Sequence, residues 1–468
     1  MPIDTFYRFR PVENLLGEFQ ELDKQSIFFA PPHLLNDPVE GFKDIYWEGD
    51  EILWRNLFDK YLLCLFDGVL EFKLNAEKAD IQKTINAANS PEQLSDYYRP
   101  IFQSISDDFL GNQQINEMIA GISEYRTKVS RSELSFYLQA VHSFALNCIS
   151  ENYKGIDVTG TNDDSDGSSY LEVFRGTEFF KQVWQLEDEY GEAEVRGFLS
   201  QLTFSLGQMS FMAHQKGINS KAESQLKGKF TEIFLGKLEE LTFPDWFTAC
   251  FMTECENSSV WGNYGNNHTG VCLVFNTEVD QQGNSNLSLS ADIIGVDTAQ
   301  MSSFKFHKID YEHQYEPINF FDSLGRLPIG QANDSWFSWN GEYSDKATTY
   351  SEDWRRGYWD NFYKSVTRKT KDWAYEMEHR LLISDPRNSF PEKGVTFHYD
   401  FKFLKGIIFG IKTTDENKHK IIEIVERKVK ENEHYDFKFY QAYYCRDDGK
   451  IKHYEMTSLK FKQPEVEA

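Results

Sequence analysis

The sequence predicts an α+β protein, strand-bearing at both ends and helical through its middle, on three observations. Near the N-terminus short apolar runs sit between turn signals, and from Thr248 onward such runs return. Between them, from about Ala76 to about Glu240, apolar residues recur at helical spacing. At 468 residues the chain has length for two or three domains, or for one domain with large insertions.

The first strand signal is Ser26-Ile27-Phe28-Phe29-Ala30, which the pair Pro31-Pro32 should end. Ser90-Pro91-Glu92-Gln93 predicts a helix start, with serine as cap, proline in the first turn and glutamine reaching back to the cap. Ser130 with Glu133 forms a second capping box. After it Leu134, Tyr137, Leu138, Val141, Ala145 and Cys148 recur at steps of three and four. Val195, Leu199, Leu202, Leu206, Met209 and Met212 repeat that spacing and predict a helix packed on its neighbours, not a cofactor box. Between these helices Gly155 to Ser169 is rich in glycine, aspartate and asparagine and predicts a mobile loop.

In the C-terminal half, strands are predicted over Val271 to Phe275, Arg380 to Ile383, Gly406 to Ile411 and Phe437 to Cys445. One helix interrupts them, capped by Thr414 and carrying Ile421, Ile422, Val425 and Val429 on its apolar face. The stretch from Trp336 to Trp373 is crowded with aromatics, for which core packing is the expected role and base stacking the alternative. No internal repeat is evident.

A formal charge of −25 repels phosphate backbones, which argues against a general grip on nucleic acid. The N-terminus lacks a secretory pattern and no window has the length of a membrane span, so a cytoplasmic protein with no membrane partner is expected. Six scattered cysteines read as reduced thiols. Cys250, Cys255, His268 and Cys272 lack the paired spacing of a zinc knuckle, so no metal is expected. Neither does a local motif build a Cys-His nucleophile, a phosphate loop or a dinucleotide fingerprint.

Four separated stretches follow one another along the chain. They are Tyr7-Arg8-Phe9-Arg10; Phe29 through Pro32 to Leu35-Asn36-Asp37-Pro38-Val39-Glu40; Trp261-Gly262-Asn263-Tyr264 with Gly270-Val271-Cys272; and Lys371 to Arg380, which contains Trp373, Tyr375, Glu376 and Glu378. Together they resemble the bacterial family known as domain of unknown function 2971, over about residues 5–75 and 245–445. One departure is Ala30-Pro31, where small hydroxyl residues are usual in the family. The resemblance implies a split-sheet α+β domain built from residues 1–75 and 245–468, with residues 76–244 as an all-helical insertion.

In a strand, Glu376, Glu378 and Arg380 would leave from one face, with Tyr375, Met377 and Leu381 on the other. Arginine early and glutamate late on a split sheet is similar to the residue order of ADP-ribosyltransferases. That similarity implies NAD as the substrate, with Glu378 and Glu376 as the catalytic carboxylates. Tyr7, Arg8, Arg10, Asn36, Asp37, Tyr264 and Arg380 would bind it. The expected function is an NAD-consuming effector, by ADP-ribosyl transfer or NAD hydrolysis, in bacterial defence or as a toxin. The helical insertion would choose a protein partner.

Plainer roles stand beside these. Glu378 and Arg380 could form an internal ion pair with Tyr7 and Trp373 as core aromatics, and Asp37 could fix an Asx-turn. At the level of function two alternatives remain open. One is a non-enzymatic sensor or interaction module binding a protein or nucleotide. The other is a metal-dependent nuclease using Asp37, Glu40 and Glu376.

Overall fold

A computed structural model describes residues 2–75, 78–153, 168–214, 220–291, 301–313, 315–347, 350–386 and 389–461. The chain divides into two units. The first is Met1–Phe42, Asp245–Tyr315 and Tyr363–Ala468, and the second is Lys43–Pro244 and Glu316–Phe362.

Among the described residues of the first unit, twelve strands join in one sheet built from both chain ends. They are β1 (Thr5–Arg10), β2 (Ser26–Phe29), β3 (Asp245–Met252), β4 (Val271–Asn276), β5 (Glu278–Val279), β6 (Ser285–Ala291), β7 (Ser302–Lys308), β8 (Glu378–Asp385), β9 (Val395–Tyr399), β10 (Leu404–Phe409), β11 (Lys438–Tyr444) and β12 (Ile451–Glu455). Their order is β12-β11-β10-β4-β1-β3-β8-β7-β6-β9-β2, with β5 on β6. The pairing of β10 with β11 is parallel, because helix Asp415–Asn432 crosses between them. The run Val-Cys-Leu-Val-Phe of β4 is buried throughout, as a strand covered on both faces requires.

One face packs Phe6, Phe251, Phe275 and Ile407 against Ile421, Val425 and Val429 of that crossover helix. Thr414 caps the helix by accepting from Asn417 N at 3.3 Å, as its sequence predicts. The opposite face gathers Phe9, Trp261, Cys272, Val274 and Ile408.

The sheet forks at β3. Its one edge pairs along its length with β8, from Glu378 opposite Met252 to Asp385 opposite Asp245. The other edge is shared: Tyr7 of β1 pairs with Met252, and Ala30, just past β2, pairs with Thr248. Beyond Tyr7, therefore, β1 leaves β3 and a wedge opens between β1 and the end of β2.

The second unit is organised around helix Glu51–Asn75, whose Leu57, Phe58, Tyr61, Leu62, Leu65 and Phe66 are fully buried, so it serves as a core helix. Helices Tyr98–Gly111, Gln113–Tyr125, Arg131–Asn152 and Phe230–Glu239 pack on it. This unit begins earlier than the expected boundary at residue 76 and regains residues 316–362, because Phe320, Phe321 and Trp336 pack into the same core. It also carries short strands: Ile45–Trp47 pairs with Ile318–Asn319 and with Val129–Ser130, the last lying inside the stretch expected to be all helix.

Ser130 caps helix Arg131–Asn152 by accepting from Glu133 N at 3.2 Å. The return half of the box is not made, since the Glu133 carboxylate turns to Arg126 Nε at 2.6 Å. At Ser90 the expected helix is only a short turn, Pro91–Gln93; the chain is extended at Leu94 and the helix starts at Tyr98. Val195 and Leu199 are buried as predicted, while the side chains of Leu206, Met209 and Met212 lie outside the described residues. The loop expected from Gly155 to Ser169 is also outside them as far as residue 167. In the aromatic stretch Trp336 is fully buried, and Tyr350, Trp354 and Tyr358 stack in succession. Among the described residues no helix is long and apolar enough to cross a membrane.

Candidate functional site

Arg8 occupies the fork. As β1 parts from β3, its guanidinium donates through Nη1 to Cys250 O and through Nη2 to Phe28 O, both at 3.2 Å. These carbonyls face the wedge, where no neighbouring strand can satisfy them, and a two-pronged cation spans the gap. The guanidinium also lies 5.1 Å from the ring centre of Phe251. Burial, followed by the nearby charge of Arg10, pushes Arg8 down to about 10. Arg10, two residues on, donates from Nε to Glu21 Oε2 at 2.7 Å and pairs a second time through Nη2.

A cavity of about 1010 Å³ opens along this fork. Tyr7, Arg8 and Arg10 border it from β1, Asn36 and Glu40 from the segment after β2, and Tyr264, Glu376 and Glu378 from later in the chain. Of the nine residues expected at a site, seven thus share one cavity. Asp37 and Arg380 do not border it. Asp37 instead accepts from Val39 N at 3.0 Å through Oδ1, making the Asx-turn. Arg380 lies behind the wall, fully buried.

At the inner wall five charged side chains interlock. Lys369 Nζ stands 2.7 Å from Glu376 Oε2, 3.0 Å from Glu378 Oε2 and 3.6 Å from Glu40 Oε1. Arg380 donates from Nε to Glu378 Oε1 at 2.8 Å, from Nη1 to Val366 O at 2.8 Å, and from Nη2 to Glu40. Such burial of charge is tolerable only because each cation meets more than one carboxylate. Burial opposes ionisation of Glu378, but the pull of Arg380 and then Lys369 overrides it and holds the carboxyl well below its usual range. Glu376 goes the other way, raised by burial that Lys369 only partly offsets.

Tyr264 links this wall to the cavity rim. Its hydroxyl donates to Glu376 Oε1 at 2.5 Å and accepts from Asn36 Nδ2 at 2.6 Å. Burial, then the adjacent Glu376 carboxylate, pushes the phenol far up, so it remains a donor. The Trp-x-x-Tyr spacing has a clear basis. Asn257 caps the short helix Ser258–Asn263; Trp261 is buried edge-on to Phe9 and donates to Cys255 O at 2.7 Å, and Tyr264 follows one turn later.

The single-strand geometry expected for the two glutamates needs correction. Glu376 closes a 3-10 turn, Lys371–Glu376, and Met377 is left-handed with φ 47° and exposed, so the strand begins at Glu378. The turn, not strand alternation, brings Glu376 beside Glu378. Lys371, the lysine of the sequence signature, is exposed, and Lys369 is the one in the cluster. Sequence reasoning missed Lys369, which sits in the polar run Thr367 to Asp372 without periodicity.

Residues 260–381 match the family model described as Protein of unknown function (DUF2971). The matched stretch carries Tyr264, Lys369, Glu376, Glu378 and Arg380, and so most of the charged wall. The match bears out the resemblance over the third and fourth motifs, and the first two, Tyr7 to Arg10 and Phe29 to Glu40, lie outside it. No curated protein and no solved structure matches the chain.

The thiols near the site are inert by environment. Cys250 borders the cavity, and burial, then the neighbouring Glu378 charge, pushes it well above its ordinary range. Cys255 Sγ lies 3.8 Å from His453 Nδ1, yet burial pushes the thiol up to about 12 and lowers the imidazole, the reverse of an activated pair.

Proposed function

We propose that the forked cavity binds NAD and that its glutamate wall assists cleavage of the bond between ribose and nicotinamide. The observation that carries this reading is the pair Glu376 and Glu378, joined by one ammonium, on the wall of a cavity of about 1010 Å³. That volume is at the upper end of ligand pockets, about 300–1,000 Å³, and accommodates a dinucleotide. Loss of nicotinamide develops positive charge on the ribose, as glycoside hydrolysis does, and a carboxylate held beside it stabilises that charge. Arg10 is the cation for the pyrophosphate, once the phosphate displaces or shares Glu21.

The metal-dependent nuclease is the weaker reading. Glu40, Glu376 and Glu378 already neutralise Lys369 and Arg380, whose charged groups stand where a divalent cation would need its ligands. The sensor reading shares the cavity and differs in outcome. By the same proposal the protein is cytoplasmic and serves bacterial defence as an NAD-depleting effector or toxin, and the helical unit selects its protein partner.

Incubating pure protein with NAD and assaying free nicotinamide tests the enzyme reading. A melting scan with NAD, ATP and Mg²⁺ tests binding. Nicotinamide release supports the effector. A melting shift with NAD but no release would leave a sensor, and neither signal would end the NAD reading.

A further inference from the structure

Glu376 and Glu378 come from one short segment, yet their surroundings differ. Both oxygens of Glu378 are taken by cations: Oε1 by Arg380 Nε at 2.8 Å, and Oε2 by Lys369 Nζ at 3.0 Å and Arg380 Nη2 at 3.4 Å. Two fixed positive charges cancel much of the field that such a carboxylate could offer to a developing cation. Glu376 meets one cation, Lys369, at Oε2, and at Oε1 the neutral phenol of Tyr264.

Both glutamates border the cavity and both side chains are buried; at Glu376 the neutral Tyr264 hydroxyl, hydrogen-bonded to Asn36 at the rim, covers Oε1, whereas at Glu378 both oxygens are held by cations. The left-handed Met377 separates Glu376 from the strand that holds Glu378. Such a conformation costs a non-glycine residue energy and persists where surrounding contacts enforce it.

We infer that Glu376 is the carboxylate that faces the reacting ribose, and that Glu378 is a positioning residue acting on it through Lys369. The inference rests on the NAD reading above and separates the roles of two glutamates that the sequence treats alike. In the step, the bond between ribose C1′ and the nicotinamide nitrogen breaks, and its electron pair leaves with that nitrogen, which becomes neutral. Water oxygen bonds C1′ and its surplus proton passes to solvent. Glu376 supplies negative charge to the ribose face throughout, while Lys369 holds its Oε2 and Tyr264 its Oε1. The raised protonation range of Glu376 and the depressed one of Glu378 agree with a lightly and a heavily compensated carboxylate.

The full chain, wild type and variants, is assayed for nicotinamide release from NAD, with kcat, KM and Tm each measured. Glu376→Gln is expected to lower kcat on the order of 100- to 1,000-fold with KM near wild type, and to lower Tm as well, because Lys369 loses one of its three carboxylates. Glu378→Gln is expected to lower Tm, and Glu378→Asp to restore kcat, whereas Glu376→Asp does not. Tyr264→Phe removes the second hold on Glu376 at the cavity rim and should lower kcat at unchanged KM, which decides the question even if Glu376→Gln does not fold. Wild-type kcat in Glu376→Gln, or loss of kcat in Glu378→Gln at unchanged Tm with Glu376→Gln active, overturns the assignment alone. A wild-type protein that releases no nicotinamide overturns the NAD-cleavage reading instead, and the assignment with it.

Discussion

Arg380 Nε donates to Glu378 Oε1 at 2.8 Å, and neither side chain is more than 1% exposed. Removing one member of a buried pair strands the other without solvent or counter-ion, which costs about 3–5 kcal/mol. Arg380→Leu would leave three buried carboxylates, Glu40, Glu376 and Glu378, to the single ammonium of Lys369. The denaturant midpoint should fall accordingly, and Arg380→Lys should recover little, because an ammonium cannot reach Glu378, Glu40 and Val366 O at once. An unchanged midpoint would mean that the cluster contributes nothing to stability.

Arg8 is predicted to be an architectural residue first. Arg8→Met removes both bonds across the fork and leaves the carbonyls of Cys250 and Phe28 unpaired. A loss of about 2–6 kcal/mol is expected, from about 1–3 for each of the two carbonyls left unsatisfied. Hydrogen exchange should report it as faster opening of Ala30 and Thr248, whose mutual bonds at 2.8 and 2.9 Å close the other side of the fork.

Arg10 offers a test of the cofactor-binding expectation. Because Glu21 engages it twice, Glu21→Gln weakens its hold and frees the guanidinium for a phosphate. The KM for NAD should fall severalfold, on the scale of about 1 kcal/mol for a partly exposed pair. A rise in KM, with stability unchanged, would place the pyrophosphate elsewhere.

In the helical unit Asp59 predicts a dependence on pH. It is buried and accepts from Ser106 Oγ at 2.6 Å, and burial raises it from 3.8 to about 6. The folded state then holds this proton more tightly than the unfolded chain does, so the contribution is greatest below about pH 4 and is lost as pH rises towards 6. Asp59→Asn keeps an acceptor for Ser106 and should raise stability at pH 7 by on the order of 2 kcal/mol, with no gain at pH 4. Equal gains at both pH values would refute the buried-acid account.

Local signals were legible where neighbours along the chain decide the outcome. Thr414 and Ser130 cap their helices because the acceptor lies three residues from the donor it serves. Ser90 failed for the same reason in reverse: nothing beyond Leu94 continued the turn. The strand period assigned to Glu376 assumed a strand that starts two residues early, and the left-handed Met377 carries no signature in the sequence.

By itself, then, the sequence determined that both ends bear strands, that the middle is helical, and that arginine, tyrosine and glutamate motifs recur in a family-like order, since these follow from periodicity and composition. Only the tertiary structure decided that β1 and Ala30 share one edge of β3, that Lys369 and not Lys371 joins the glutamates, and that Glu40 pairs with Arg380 from 340 residues away. Buried charges select partners by distance through the fold, and separation along the chain places no limit on that choice.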